Sequence, residues 1–206
     1  GMMKSLLVGV FWPSGEWGPA KMPWLSYLST AYRVEGLSGR DTRKMRDLLT
    51  SDWYQTLWPE VRLTRSGETS FANSATGSRE AVAFGSLTSQ RGDRLIIDDP
   101  HSTETAESPA ERQNTTRKFR EGATNRLNDQ ERSAIVVIMQ RLHEDDLVGH
   151  LLEQDGWEVL SLPGIAEEDE VLVAQVSLGD FSVVLHRRVV GGAVVRLDDR
   201  RDRRRH

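Results

Sequence analysis

The stretch RLIIDDPHS, Arg94 to Ser102, runs three aliphatic residues straight into two adjacent carboxylates and then a proline. Leu95–Ile97 reads as a strand buried in a sheet, and Pro100 stops it. Two like charges at the end of an apolar strand repel each other and lose hydration, so something must offset them. In an open parallel sheet, ligands collect beyond the carboxyl ends of the strands, and Asp98 and Asp99 stand at such an end. One carboxylate there suits a hydrated Mg²⁺, and its neighbour suits orienting or deprotonating a water.

On either side of this stretch, strand and helix patterns alternate. The spacing predicts a helix from Lys4 to Phe11, ended by Pro13 and Gly15. It predicts a strand over WLSYLSTAY (Trp24–Tyr32) and a single helix over residues 38–58. That helix takes Ser38 as its cap and puts Met45, Leu48, Leu49 and Trp53 on one face. SFANSATGSREAVAFGS reads as a hairpin turning at Thr76-Gly77-Ser78. A long polar helix follows from about Ala106 to Leu127. SAIVVIMQ (Ser133–Gln140) has the continuous apolar character of a strand buried on both faces. HEDDLVGHLLEQ reads as a helix with acids in its first turn, and WEVLSLP as a last strand. The expected class is therefore α/β with a largely parallel central sheet flanked by helices.

Composition narrows the function classes. The chain has 206 residues, 37% hydrophobic and 28% charged, with no cysteine. That excludes a disulfide framework and any thiolate metal site, and points to a reducing compartment. No apolar run approaches the roughly eighteen residues a membrane helix needs, and no signal peptide opens the chain. Net charge is −4, yet eight of the 27 basic residues lie between Arg187 and His206. The remainder is acidic, so nucleic-acid contact cannot rest on a global positive field.

An apolar run ending in two acids also closes many ordinary strand-to-loop junctions; where it belongs to a nucleotide hydrolase, a phosphate-binding lysine and hydroxyl stand upstream. Lys4-Ser5 in GMMKSLL has the right order and opens an apolar helical segment. The lysine of such a motif reaches the β/γ-phosphates, the hydroxyl takes Mg²⁺, and helix amides cradle the anion. On spacing alone an incidental lysine is the plainer reading.

Taken in order, several segments resemble the large terminase subunit of tailed bacteriophages, the ATPase that drives DNA into capsids. They are MKSLLVGVFWPSGEWGP, WLSYLSTAY, RDTRKMRDLLTSDWYQ, SFANSATGSREA, GDRLIIDDPHS, TNRLNDQE and VVIMQRLHEDDLVGHLLEQDGWEVLSLP, covering roughly residues 2–165. The resemblance implies a P-loop NTPase fold of the RecA/ASCE type with its first strand missing. It assigns Lys4 and Ser5 to the Walker A pair, with Met3 a family variant ahead of the lysine. Asp98 becomes the Walker B magnesium ligand, shared with Ser5, and Asp99 falls where many relatives carry a catalytic glutamate. Gln140 matches the side chain that senses the γ-phosphate, and Arg91 resembles an arginine preceding Walker B that serves as a finger, with Arg79 and Arg141 as competitors. For any one of these arginines a solvated surface position is the plainer expectation. The implied ligands are ATP and Mg²⁺. The implied partners are double-stranded DNA, a portal protein, a terminase small subunit and further copies in a ring, in the host cytoplasm and with no membrane.

The resemblance also implies a motor domain (1–165) trimmed at both ends. The adenine-contacting segment and first half of the loop would precede Lys4, and the nuclease domain would follow. Residues 166–206 are rich in Val, Gly and Arg and read as a poorly specified tail. Two alternatives stand beside the motor: a helicase-like translocase, and a non-hydrolysing remnant that binds protein or DNA. His143 and His150, seven positions apart, cannot share a tetrahedral metal site unaided, so His143–Asp146 is expected to cap a helix with Leu147, Leu151 and Leu152 facing the core. Trp12, Trp17 and Trp24 are expected in the core and not on a base-stacking surface.

Overall fold

The computed structural model describes residues 2–163 and 193–198. Most of the segment read as a tail, including the RRDRRRH run, lies outside the described residues. The strands are β1 (Ser26–Ala31), β2 (Leu63–Ser66), β3 (Ser70–Asn73), β4 (Ser78–Ala83), β5 (Arg94–Asp98), β6 (Ala134–Met139), β7 (Glu158–Pro163) and β8 (Ala193–Asp198). They form one sheet in the order β2-β3-β4-β1-β5-β6-β8-β7. The β4-β1-β5-β6-β8-β7 part is parallel throughout, and β2 and β3 add an antiparallel edge. The fold is α/β with a mostly parallel mixed sheet flanked by helices, compatible with the Rossmann-like and P-loop-like group. Among the described residues, no helix is long and apolar enough to cross a membrane.

Side chains of the central strands divide between the two faces, because successive residues of a strand point to opposite sides. Tyr27, Ile96, Val136 and Ile138 join one core with Val8, Val10, Trp12, Trp17, Met45, Leu49 and Phe71. Leu28, Leu95, Ile97, Ile135, Val137 and Met139 join the other with Phe119, Leu147, Val148 and Leu151. Burial on both faces explains why β6 is written AIVVIM with no polar alternation.

The first helical segment outruns its expected end. α1 (Met2–Leu6) passes through a π turn (Leu7–Phe11) into α2 (Trp12–Trp17). Pro13 sits in the first turn of α2 and not at a terminus. A proline lacks the N–H that the carbonyl four residues earlier would receive, and the wider π turn opens the ladder at that point. Ser14 helps: its hydroxyl donates to the Val10 carbonyl, 2.8 Å.

The helix expected over residues 38–58 is two helices, α3 (Leu37–Leu49) and α4 (Asp52–Leu57). Ser38 lies inside α3 and caps nothing. The Thr50 hydroxyl donates to the Arg46 carbonyl, and the Ser51 hydroxyl donates to Leu48 and accepts from Tyr54 N–H. These local bonds end one helix and start the next. The break rotates Trp53 off the buried face, leaving it 59% exposed while Met45 and Leu49 are fully buried.

The hairpin turns where expected. Asn73 Oδ1 accepts from the Ala75 and Gly77 N–H groups, both 2.9 Å, and Thr76 takes φ 72°. Gly77 is required because a Cβ there would lie 2.0 Å from the Pro23 carbonyl oxygen. The long polar helix is interrupted at Ser108-Pro109. It comprises α5 (Thr103–Glu107) and α6 (Pro109–Lys118), a π turn over Phe119–Ala123 and a last 3₁₀ turn over Thr124–Arg126. Among the described residues the last helix is α7 (Leu147–Leu152), which starts later than expected, with Asp146 as its cap and the other acids ahead of it. Leu147 and Leu151 are buried, but Leu152 faces solvent. Of the three tryptophans expected inside, Trp12 and Trp17 are buried and Trp24 is 56% exposed. β8 comes from the segment read as a tail and lies between β6 and β7, parallel to both.

Candidate functional site

The centre of the parallel sheet brings together residues from opposite ends of the sequence. β5 ends at Asp98, and its carboxyl edge faces the first turn of α1. There the Lys4 ammonium donates to Asp99 Oδ1 at 3.1 Å, across 95 positions of chain. Lys4 is 8% exposed and Ser5 2%, so both are held inward against the acids. The same Asp99 oxygen accepts from the Gln140 backbone N–H, 3.1 Å, where β6 ends.

Asp99 owes this position to its backbone. With φ 46° it turns the chain out of the strand in a conformation that aspartate tolerates better than most side chains. Its own N–H donates to the Ile138 carbonyl, 2.8 Å, and its carbonyl accepts from Tyr32 N–H, 3.3 Å. The turn is thereby fixed to β6 and to the end of β1.

Asp98 is different: its side chain points into the face covered by α1, α2 and α3, beside Ile96 and Ile138 in the alternation of that face. It is 4% exposed, and its Oδ1 has no hydrogen-bond partner. Burial drives its pKa up to about 7, with the Asp99 and Asp41 charges adding to the rise. The Ser5 hydroxyl bond and the Lys4 charge oppose it.

An orphaned, buried carboxylate oxygen beside a serine hydroxyl is a fit for a hard divalent cation, which prefers oxygen donors. Among the described residues, no group of three or more His, Cys, Asp or Glu side chains forms a metal cage. Mg²⁺ is a cation that can be held by one or two protein oxygens, with waters and phosphate oxygens completing its shell.

Lys4, Ser5, Asp98, Asp99 and Gln140 thus share one edge, with the Gln140 side chain exposed at its rim. Arg91 does not join them. It precedes β5, at the opposite edge of the sheet, and its Nη2 donates to the Asn125 carbonyl, 3.3 Å. The five residues of β5 alone separate the edges by roughly 13 Å. The two competing arginines are also committed elsewhere. Arg79 is no surface residue: it is 1% exposed, its Nε donates to Thr42 Oγ1 at 3.0 Å, and burial lowers its pKa to about 10. Arg141 donates to the Asp146 carboxylate, 2.9 Å, and to the carbonyls of His143 and Glu144.

Three residues at or beside this edge were not singled out by the sequence. Asp41 is 2% exposed and pairs with Arg40 Nε at 2.8 Å. His101, three residues beyond Asp98, is buried, and burial lowers its pKa. Its Nε2 accepts from Leu147 N–H at 3.2 Å, which ties the loop after the acids to the start of α7. The adjacent acid and base in SGRDTRK were the available signal for the first two. A cavity of about 390 Å³, which neither Asp98 nor Asp99 lines, lies between α6 and α7. Arg112, Arg117 and Arg120 on one wall face Glu144, Asp145 and Glu153 on the other, so no field of one sign gathers an anion there.

The edge joins an ammonium, a hydroxyl, a buried acid of raised pKa and a second acid poised at solvent. Phosphate binding with proton transfer to a carboxylate is the chemistry such a set supports. In comparisons with protein-family models and with curated proteins, nothing matches the chain.

Proposed function

We propose that the chain binds a magnesium–nucleoside triphosphate at the carboxyl edge of β5 and hydrolyses it, as the ATPase domain of a DNA-packaging motor similar to the phage large terminase. One observation carries the reading: Lys4 and Ser5, at the start of a helix, meet the Asp98-Asp99 pair at the end of a central parallel strand. Lys4 is the residue for the phosphate oxygens. Ser5 and Asp98 supply the oxygens for the cation, which when bound neutralises charge on the phosphates.

Asp99 is the proton acceptor for the attacking water. While Lys4 holds it, its Oδ1 is occupied by that ammonium and by the Gln140 N–H. Phosphate competes for Lys4, and its arrival releases an Asp99 lone pair towards solvent. Gln140, exposed at the rim, offers an amide that both donates and accepts. Arg91 fits this reading as an arginine offered to the pocket of a neighbouring subunit, which agrees with its place on the far edge. Double-stranded DNA, a portal, a small subunit and a ring of copies are the partners that accompany it.

The test is the affinity for Mg²⁺ with a non-hydrolysable ATP analogue, by calorimetry, in the chain and in Lys4→Ala and Asp98→Ala. Each substitution removes a charged contact and is expected to weaken binding at least about tenfold. Equal and negligible affinity in all three proteins removes the reading. ATP turnover that rises with added double-stranded DNA then separates a packaging motor from a nucleotide-binding module.

A further inference from the structure

The nucleotide reading leaves one cation of the site without a role. Arg40 lies in the first turn of α3, and α3 packs along α1 and the π turn that follows it. Its neighbour Asp41 stands against Gly9 of that turn, where a Cβ would come 2.9 Å from Asp41 Oδ2. Glycine at this position lets the carboxylate settle into the helix flank. Held there, Asp41 takes Arg40 Nε at 2.8 Å.

The guanidinium is thereby anchored by one arm only. Arg40 Nη2 is buried and has no hydrogen-bond partner, although the side chain as a whole is 30% exposed. A buried guanidinium N–H without an acceptor is costly, and the fork of an arginine is suited to holding one anion while reaching a second. The Asp98 carboxylate, itself carrying a buried unpartnered oxygen, is close enough for its charge to favour the charged form of Arg40, after the bond to Asp41.

We propose that Arg40 binds the phosphate chain of the nucleotide directly, with Asp41 as the positioning residue that holds its guanidinium. This rests on the nucleotide reading of the Lys4–Asp99 edge. Arg40 supplies a second cation beside Lys4 from within the same chain, so the phosphate-binding arginine is not confined to a neighbouring subunit.

The experiment compares wild-type protein with Arg40→Lys and Lys4→Ala, using Mg²⁺ and a non-hydrolysable ATP analogue as the probe. Lysine keeps the charge that faces Asp41 but has no second arm. Arg40→Lys is therefore expected to melt close to wild type without ligand and to bind the analogue about tenfold more weakly or worse. Should Arg40→Lys fail to fold, Arg40→Gln keeps a donor for Asp41 and is expected to show the same loss. If either folded variant binds as wild type does while Lys4→Ala loses affinity, Arg40 serves only to pair Asp41, and the nucleotide reading survives without it. Absence of binding by the wild type overturns both.

Discussion

Asp98 tests whether a site is being maintained against the interests of the fold. Its pKa of about 7 compares with an ordinary value of 3.8, and the cause is burial reinforced by the charges of Asp99 and Asp41. Between those two values the folded chain binds more protons at Asp98 than the unfolded chain does. The stability that the neutral acid contributes is therefore complete below 3.8 and lost as pH rises through about 7. Roughly three pH units at about 1.4 kcal/mol each put the burden of the ionised form near 4 kcal/mol. Asp98→Asn keeps the shape and removes the charge. Its stability advantage over wild type is expected to grow by about 2.5 kcal/mol between pH 5 and pH 8, the part of the range that lies below pH 7. Urea unfolding of both proteins at several pH values measures this, and the pH dependence of the difference is insensitive to any constant effect of the amide. A difference that stays flat, or a wild type that gains on the variant as pH rises, would refute the argument that desolvation governs this carboxyl.

The same titration has a binding counterpart: cation binding at Asp98 needs its ionised form, so Mg²⁺-dependent affinity for the ATP analogue is expected to fall up to about tenfold per pH unit below pH 7. An affinity independent of pH from 5.5 to 8 argues against Asp98 as a ligand. Asp99→Asn is expected to stay within about 1 kcal/mol of wild-type stability, since asparagine also tolerates φ 46°, while ATP turnover drops at least about a hundredfold. Retained turnover moves the base elsewhere. Asp146 is fully buried and accepts from Arg141 and from the N–H groups of Leu142, His143 and Gly149. Asp146→Ala strands the Arg141 cation and is expected to cost about 3–5 kcal/mol in chemical denaturation, and a loss under about 1 kcal/mol contradicts its role as the hub of this loop.

What the sequence made legible follows from how local the cause was. β5 and β6 announce themselves because burial on both faces admits only aliphatic residues, and the Asp98-Asp99 pair stands out against them. The stop between α3 and α4 was legible too, in the Thr50-Ser51 pair, but the apolar spacing runs on to Trp53 and masks it. Pro13 misleads for a subtler reason: its penalty holds for a regular α-helix, and the π turn over Leu7–Phe11 that relieves it has no sequence signature. Arg79 reads as a surface charge because its partner Thr42 lies 37 positions away on α3. β8 has the Val-rich character of a strand, yet nothing local says that it lies between β6 and β7. The Arg40-Asp41 pair carries no periodicity at all, and only the packing of α3 along the first helical segment gives it meaning.

On the proposed reading, competition between Asp99 and phosphate for Lys4 would keep water activation in step with binding. The Lys4 ammonium and the Gln140 N–H share one oxygen of Asp99. An arriving phosphate would draw the ammonium away and leave that oxygen open towards the rim. The device requires a turn stiff enough that Asp99 does not follow Lys4. Anchors from Asp99 N–H to Ile138 and from Tyr32 N–H to the Asp99 carbonyl supply that stiffness on both sides. The residues proposed for the cation and for the base are neighbours with opposite environments: Asp98 buried on the face packed by the helices, Asp99 turned out to the rim. Two adjacent acids at the end of an apolar strand are tolerable because the backbone turn at Asp99 sends their side chains to different places.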